Sequence, residues 1–170
     1  MSVAGKHGVS ENTPKNIQFG AGTIHKGLKY DSNAWNYEAS IVGATSGGST
    51  LTITPEITTM EVDGALVRVK GLDVKTGETA TMEINFIELS KDIVKAATLG
   101  TAGTSEDTTN YDMIESKSAI AAGDYWENVA FVGQTLDGKD IIAILDNALC
   151  TSGLSLNPQN KAGTVATLTF

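Results

Sequence analysis

Cysteine is nearly absent from this 170-residue sequence, which contains only Cys150. A single cysteine excludes an intramolecular disulfide framework and favours a reducing compartment, so the sequence predicts a protein made in a cytoplasm. Histidine is also scarce, and His7 and His25 are not accompanied by the spacings that are typical of metal sites. We therefore predict neither a disulfide scaffold nor a bound metal ion.

Long apolar runs are missing as well. The longest, at residues 141–145, is far too short to cross a bilayer. Residues 1–12 contain no apolar segment of the kind found in a signal peptide. The sequence therefore predicts a soluble chain without membrane insertion.

Basic residues are few, since 12 Lys and Arg stand against 20 Asp and Glu and leave a formal net charge of −8. This balance disfavours ordinary nucleic-acid binding, which needs a basic surface for phosphate. Residues 133–140 nearly spell a phosphate-binding loop, but Asp140 stands where a hydroxyl residue is needed. The sequence contains no acid/base pair or activated nucleophile either, so we predict no catalytic residue, no cofactor and no enzymatic activity.

The most informative pattern lies at residues 57–70, where two alternating runs flank Asp63 and Gly64. Asp-Gly favours a type I′ turn, so the pattern predicts a hairpin with strands at 57–62 and 65–70. One face of this hairpin is apolar and the other is mostly polar and charged. A further strand at 79–88 repeats the pattern, with Thr81, Glu83 and Asn85 on its polar face.

The rest of the chain predicts a mainly β domain with one helix. Ser90 and Gly100 bracket a helix at about 90–99. A second hairpin is expected from 124–133 and 140–150, with 141–145 as a central strand covered on both faces. Residues 1–30 are expected to form an extended arm, and 43–50 and 101–110 long loops. Shorter strands are expected at 36–42, 51–54, 111–118 and 163–170. We expect a two-sheet antiparallel β-sandwich or barrel-like domain over residues 31–170.

Three stretches resemble phage tail tube proteins, also called major tail proteins, from viruses of Gram-positive bacteria. They read FGAGTIHKG at 19–27, ITPEITTMEVDGALVRVKGLDVKTGETATMEINFIELSKDIVKAA at 53–97 and DYWENVAFVGQTLDGKDIIAILDNALCTSGLSL at 124–156. The resemblance spans roughly residues 18–170. It implies a β-sandwich with a flanking helix that assembles into stacked six-fold rings around a lumen for double-stranded DNA.

The resemblance also implies partners and a location. The chain would assemble with copies of itself and meet a tape measure protein and baseplate or terminator proteins. It would be assembled in the host cytoplasm and reside in the virion tail, where DNA passes without specific binding. Residues 1–30, 33–50 and 101–110 would supply contacts between rings.

Individual residues follow from combining the predicted strands with this resemblance. The residues expected to face the lumen are Thr59, Glu61, Arg68, Lys70, Thr81, Glu83 and Asn85. The residues expected at subunit interfaces are Trp35, Tyr37, Ile57, Leu66, Tyr111 and Trp126, although Trp35 and Trp126 also suit packing inside the domain.

Two alternatives to a phage tail tube remain open at this point. A tube subunit of a contractile phage-tail-like bacteriocin or injection system would share the architecture. A monomeric β-sandwich that binds or adheres to a partner would also have the predicted composition.

Overall fold

The structure is a computed structural model, and it describes residues 8–170. The described chain is mainly β, with short helices between the strands. The strands are β1 (Gln18–Lys26), β2 (Tyr30–Asp31), β3 (Ala34–Trp35), β4 (Thr45–Thr59), β5 (Asp73–Phe86), β6 (Thr101–Gly103), β7 (Met113–Glu115), β8 (Trp126–Thr135), β9 (Asp140–Ala148) and β10 (Ala166–Thr169). The helices are α1 (Thr13–Asn16), α2 (Tyr37–Ser40) and α3 (Lys91–Thr98).

Two three-stranded antiparallel sheets form the body of the domain. Their strand orders are β1-β8-β9 and β10-β5-β4. Side chains from both sheets and from α3 share one core, which includes Ile24, Met82, Ile84, Phe86, Ile93, Val129 and Leu168. The mainly β, two-sheet antiparallel architecture predicted from the sequence is therefore confirmed, with α3 as the flanking helix.

Helix α3 forms for the reasons that the sequence indicated. The Ser90 hydroxyl accepts a hydrogen bond from the Ile93 amide at the N-terminus. The helix ends differently from the prediction, because Leu99 rather than Gly100 takes the left-handed conformation (φ 49°). Gly100 is needed instead for close packing, since a Cβ atom there would lie 2.6 Å from the Ile114 side chain.

The second hairpin is confirmed as β8 and β9, and Gly138 has the expected positive φ at the turn. The prediction that 141–145 is a central strand is wrong, because β9 lies at the edge of its sheet and Ile144 is 38% exposed. The central strand is β8. Its burial is not evident from the sequence, because the strand contains the polar residue Asn128. The Asn128 side chain is buried, and it accepts a hydrogen bond from the Leu28 amide and donates one to the Leu28 carbonyl.

The N-terminal part that the structure describes is not an extended arm. Strand β1 pairs with β8, and Ile24 and Leu28 are buried. Residues 1–7 of the predicted arm lie outside the described residues. The predicted strand at 36–42 is also wrong, because α2 occupies this segment and the Ser40 hydroxyl donates to the Asn36 carbonyl.

The two long loops differ from prediction as well. Residues 45–50 belong to β4 and not to a loop, because a bulge between Thr45 and Ser49 absorbs Gly47 and Gly48 while the strand continues. Residues 101–103 form β6, which pairs with β7, so that only 104–112 connect the two strands. The predicted last strand is confirmed as β10.

Candidate assembly surface

Strands β4 and β5 extend beyond the third strand of their sheet. They pair from Thr45 and Phe86 to Thr59 and Asp73, whereas β10 accompanies β5 only from Phe86 to Met82. Residues 52–59 and 73–81 therefore form a two-stranded extension, which we call the ribbon. A two-stranded ribbon is only marginally stable in water without a further strand or a covered face. In the described chain the ribbon has neither a third strand nor a layer packed against one of its faces.

The predicted hairpin register around Asp63 and Gly64 is wrong. The local turn exists, because the Ala65 amide donates to the Val62 carbonyl (3.1 Å) and Gly64 has a φ of 85°. However, the strands end before it, and Ile57 pairs with Lys75 instead of Lys70. Pairing β4 with β5 gives many more cross-strand pairs than two six-residue strands could, so the longer register is favoured.

One face of the β10-β5-β4 sheet is covered with threonine, and we call it the threonine face. Alternation and register place together Thr50, Thr52, Thr54 and Glu56 of β4, Thr79, Thr81, Glu83 and Asn85 of β5, and Thr167 and Thr169 of β10. These side chains carry hydroxyls, one amide and two carboxylates. Three residues predicted to face the lumen, namely Thr81, Glu83 and Asn85, are therefore brought together on one surface.

The other four predicted lumen residues lie elsewhere. Thr59 is at the end of the ribbon, where its hydroxyl donates to Asp73 (2.6 Å). Arg68 also binds Asp73 (2.8 Å). The hydrogen bond from Thr59, followed by the one from Arg68, lowers the pKa of Asp73 below its ordinary value. Glu61 and Lys70 are exposed in the connection at residues 60–72. Placing Glu61, Arg68 and Lys70 on the wall of a sheet was an error that follows from the wrong register, whereas Thr59 does end β4, on the face opposite the threonine face.

On the opposite face of the ribbon, β4 presents an uncovered apolar strip, whereas β5 contributes Glu78 and Lys75 opposite Pro55 and Ile57. Leu51 and Met82 line an open cleft of about 340 Å³ between the two sheets, together with Phe131 and Ile141. Beyond this cleft Ile53 and Ile57 continue the same side of β4, where they are 54% and 57% exposed. An apolar strip that leaves the core and runs into solvent is typical of a protein–protein contact surface.

The connection at residues 60–72, which we call the tip loop, also exposes apolar side chains. Leu66 is 98% exposed and Val67 is 77% exposed at the end of the ribbon, and Met60, Val62 and Val69 are also exposed. The interface candidates Ile57 and Leu66 thus lie at the same end of the molecule.

Trp126 was predicted as an interface candidate, and the structure contradicts this. It is only 6% exposed, and its ring centroid lies 4.8 Å from that of Phe170 in the core. The Lys26 ammonium lies over the same ring, 4.7 Å from its centroid. Trp126 is therefore a packing residue of the domain.

The remaining interface candidates are not gathered into one surface with the ribbon. Trp35 is half-buried and packs edge-on against Tyr30. The Tyr37 hydroxyl donates to Asp140 (2.9 Å), and burial followed by this carboxylate raises the pKa of Tyr37. Tyr111 is 70% exposed in the connection between β6 and β7. These residues remain predictions.

His25 is a buried titratable group beside α2. Its Nδ1 lies 2.9 Å from the Ser40 hydroxyl and its Nε2 2.8 Å from the Thr23 hydroxyl. Because the Ser40 hydroxyl donates to the Asn36 carbonyl, it accepts from Nδ1–H, which places a proton on Nδ1. Burial lowers the pKa of His25 and outweighs the opposing effect of the Tyr37 backbone.

This arrangement predicts a loss of stability in mild acid. As the pH falls below about 6.5, the unfolded chain takes up a proton that the folded chain binds less readily, so the free energy of unfolding should decrease. One proton gives a slope of at most about 1.4 kcal/mol per pH unit. Urea unfolding between about pH 7.5 and 5.5 should show this slope in wild type and in His7→Gln. Equal slopes in His25→Gln and His7→Gln would contradict the assignment.

Comparison with protein-family models and a search of curated proteins each give no match for this chain. Within residues 8–170, no three His, Cys, Asp or Glu side chains are grouped so that they could hold a metal ion. None of the helices in this part of the chain has the length and apolar character needed to cross a membrane. The geometry of the ribbon is therefore the main structural guide to function.

Proposed function

We propose that this chain is a structural subunit that assembles with copies of itself into stacked rings, forming a hollow tube like that of a phage tail. The observation that carries this proposal is the ribbon, which has free edges, an uncovered apolar strip along β4 and no third strand in the described chain. Pairing with another copy would supply the missing strand at an edge, and packing of another copy against the apolar strip would supply the missing cover.

In this tube the threonine face is the wall of the bore. Its side chains are neutral apart from the carboxylates of Glu56 and Glu83. Such a wall offers no cation to the phosphates of double-stranded DNA, so DNA passes without adhering. The bore therefore differs from the initial expectation, in which Arg68 and Lys70 shared the wall.

The tip loop is the proposed contact between one ring and the next. Its exposed apolar residues lie at the end of the ribbon, where a neighbouring ring would cover them. Residues 33–50, most of which belong to β3, α2 and β4, are also expected to contact a neighbouring ring, and this stays a prediction.

The proposed partners and location follow from the resemblance to tail tube proteins. The tube would surround a tape measure protein, end at baseplate or terminator proteins, and reside in a virion tail after assembly in the host cytoplasm. A bacteriocin tube would use the same ribbon. A monomeric binding module is less favoured, because it would leave the apolar strip at Ile53 and Ile57 in solvent.

Concentrated protein tests this proposal directly. Sedimentation velocity across a dilution series should show a transition from monomers to large particles, and negative-stain electron microscopy should show rings or tubes with a central hole. A single monomeric species at every concentration, with no particles on the grid, would contradict the proposal.

A further inference from the structure

Two Asp-Gly pairs occur in this sequence, at residues 63–64 and 137–138, and both pairs are exposed. Glycine has no side chain, so its backbone amide is the least shielded nitrogen that can follow an aspartate. This nitrogen can attack the aspartate Cγ and form a five-membered succinimide ring. The reaction requires the peptide between the two residues to rotate, and the two turns differ in how firmly they hold that peptide.

The turn at Asp137 and Gly138 holds its peptide in place. The Gly138 amide donates to the Thr135 carbonyl (3.0 Å), and the Lys139 amide donates to the Thr135 hydroxyl (3.0 Å). The Thr135 amide donates to the Lys139 carbonyl (2.8 Å), directly beside the first pair of β8 and β9. Attack by the Gly138 nitrogen would break its hydrogen bond and distort a turn that both strands anchor, so this pair is protected.

The turn at Asp63 and Gly64 leaves the corresponding amide free. Among residues 8–170 the Gly64 amide has no hydrogen-bond acceptor. Gly64 has a φ of 85° and Asp63 does not have a positive φ, which is the pattern of a type II turn. One hydrogen bond closes this turn, from the Ala65 amide to the Val62 carbonyl, and β4 and β5 do not reach it. The peptide at the end of the tip loop is therefore free to rotate.

We infer that Asp63 is a site of spontaneous isoaspartate formation, and that it isomerises several-fold faster than Asp137 in the folded protein. The inference goes beyond the proposed function and does not depend on it, because it concerns the dilute monomer. First a bond forms between the Gly64 nitrogen and the Asp63 Cγ, and the carboxyl OH leaves with the amide proton as water. Water then opens the ring at the main-chain carbonyl, so that the chain continues through Cβ and Cγ.

The product alters the tip loop in two ways. The main chain gains one carbon atom within a tight turn, and the free carboxylate is now attached to the α-carbon. Both changes fall beside exposed apolar side chains, those of Val62 and Leu66. Subunits that stay unassembled therefore acquire a modified tip loop with time.

Prolonged incubation of dilute monomer at neutral pH tests the inference. A methyltransferase specific for isoaspartyl residues measures the total amount, and a protease that cleaves before aspartate but not before isoaspartate gives the position. Cleavage before Asp63 should be lost several-fold faster than cleavage before Asp137. In urea that unfolds the chain, the two rates should become similar, because neither turn then holds its peptide.

Asp63→Glu is the matched control, because it keeps the charge in an exposed turn but would have to form a larger ring, which closes more slowly. This variant should fold like wild type and contain far less isoaspartate after the same incubation. Equal rates at the two pairs in the folded protein, a faster loss at Asp137, or undiminished isoaspartate in Asp63→Glu would overturn the inference.

Discussion

Ile53→Asp should leave the subunit folded and prevent it from assembling. Ile53 is 54% exposed in the ribbon, so the free chain tolerates a carboxylate there. In the proposed tube this side chain is covered by another copy, and burying an isoleucine contributes roughly 1.5–3 kcal/mol. The concentration needed for assembly should rise by about 10- to 100-fold, because each 1.4 kcal/mol is a factor of ten. Sedimentation velocity over a dilution series measures this shift.

Thr54→Asp is the matched control, because Thr54 is the next residue along β4 and lies on the opposite face. It introduces the same charge into the same strand, but onto the threonine face. Its assembly threshold should stay within a few-fold of wild type. The account would be contradicted if both aspartate variants assembled equally well, or if Thr54→Asp were the more severe.

Phe86→Ala should produce the largest loss of stability. Phe86 is fully buried in the core between the two sheets. Removing a buried phenylalanine side chain costs about 3–5 kcal/mol, because apolar burial is lost and a cavity remains. Urea unfolding at a concentration where wild type is monomeric gives this loss directly.

Leu66→Ala provides the comparison for Phe86→Ala. Leu66 is 98% exposed in the tip loop, so its truncation should change the stability of the monomer by less than about 0.5 kcal/mol. A similar loss for Phe86→Ala and Leu66→Ala would mean that the core is not where the structure places it.

Local sequence patterns predicted part of the fold correctly. Alternation at Met82, Ile84 and Phe86 identified the buried face of β5, and Ser90 identified the start of α3. The register of the first hairpin could not be predicted in this way. Asp63 and Gly64 do make a local turn, but strand pairing is decided by the combined length of β4 and β5. The expected strand at 51–54 stops before Pro55, because proline cannot donate to a central ladder, but β4 is an edge strand and continues through this residue.

For the glycine-rich N-terminal region, composition did not predict the structure correctly. Its composition suggested an extended arm, yet β1 lies within a sheet. Gly22 has a φ of 69°, and a side chain there would collide with the Phe131 ring. This glycine is therefore needed for close packing. Composition alone does not distinguish such a glycine from one in a flexible segment.

The candidate surface was only partly visible in the sequence. Thr81, Glu83 and Asn85 were assigned to one polar face, and they do share it. Alternation in the run Thr50-Leu51-Thr52-Ile53-Thr54 indicates the β4 part of the threonine face, but these threonines were not among the predicted surface residues. The free edge of β5 could not have been predicted, because it depends on β10 stopping beside Met82.

Hydrogen–deuterium exchange of residues 73–81, followed by mass spectrometry, tests the central claim most directly. In dilute monomer this half of the ribbon should exchange quickly at its free edge. After concentration and assembly, the same peptide should become protected while a core peptide such as one from β8 changes little. Equally fast exchange of residues 73–81 in dilute protein and in sedimented particles would show that the ribbon gains no partner strand, and would contradict the account.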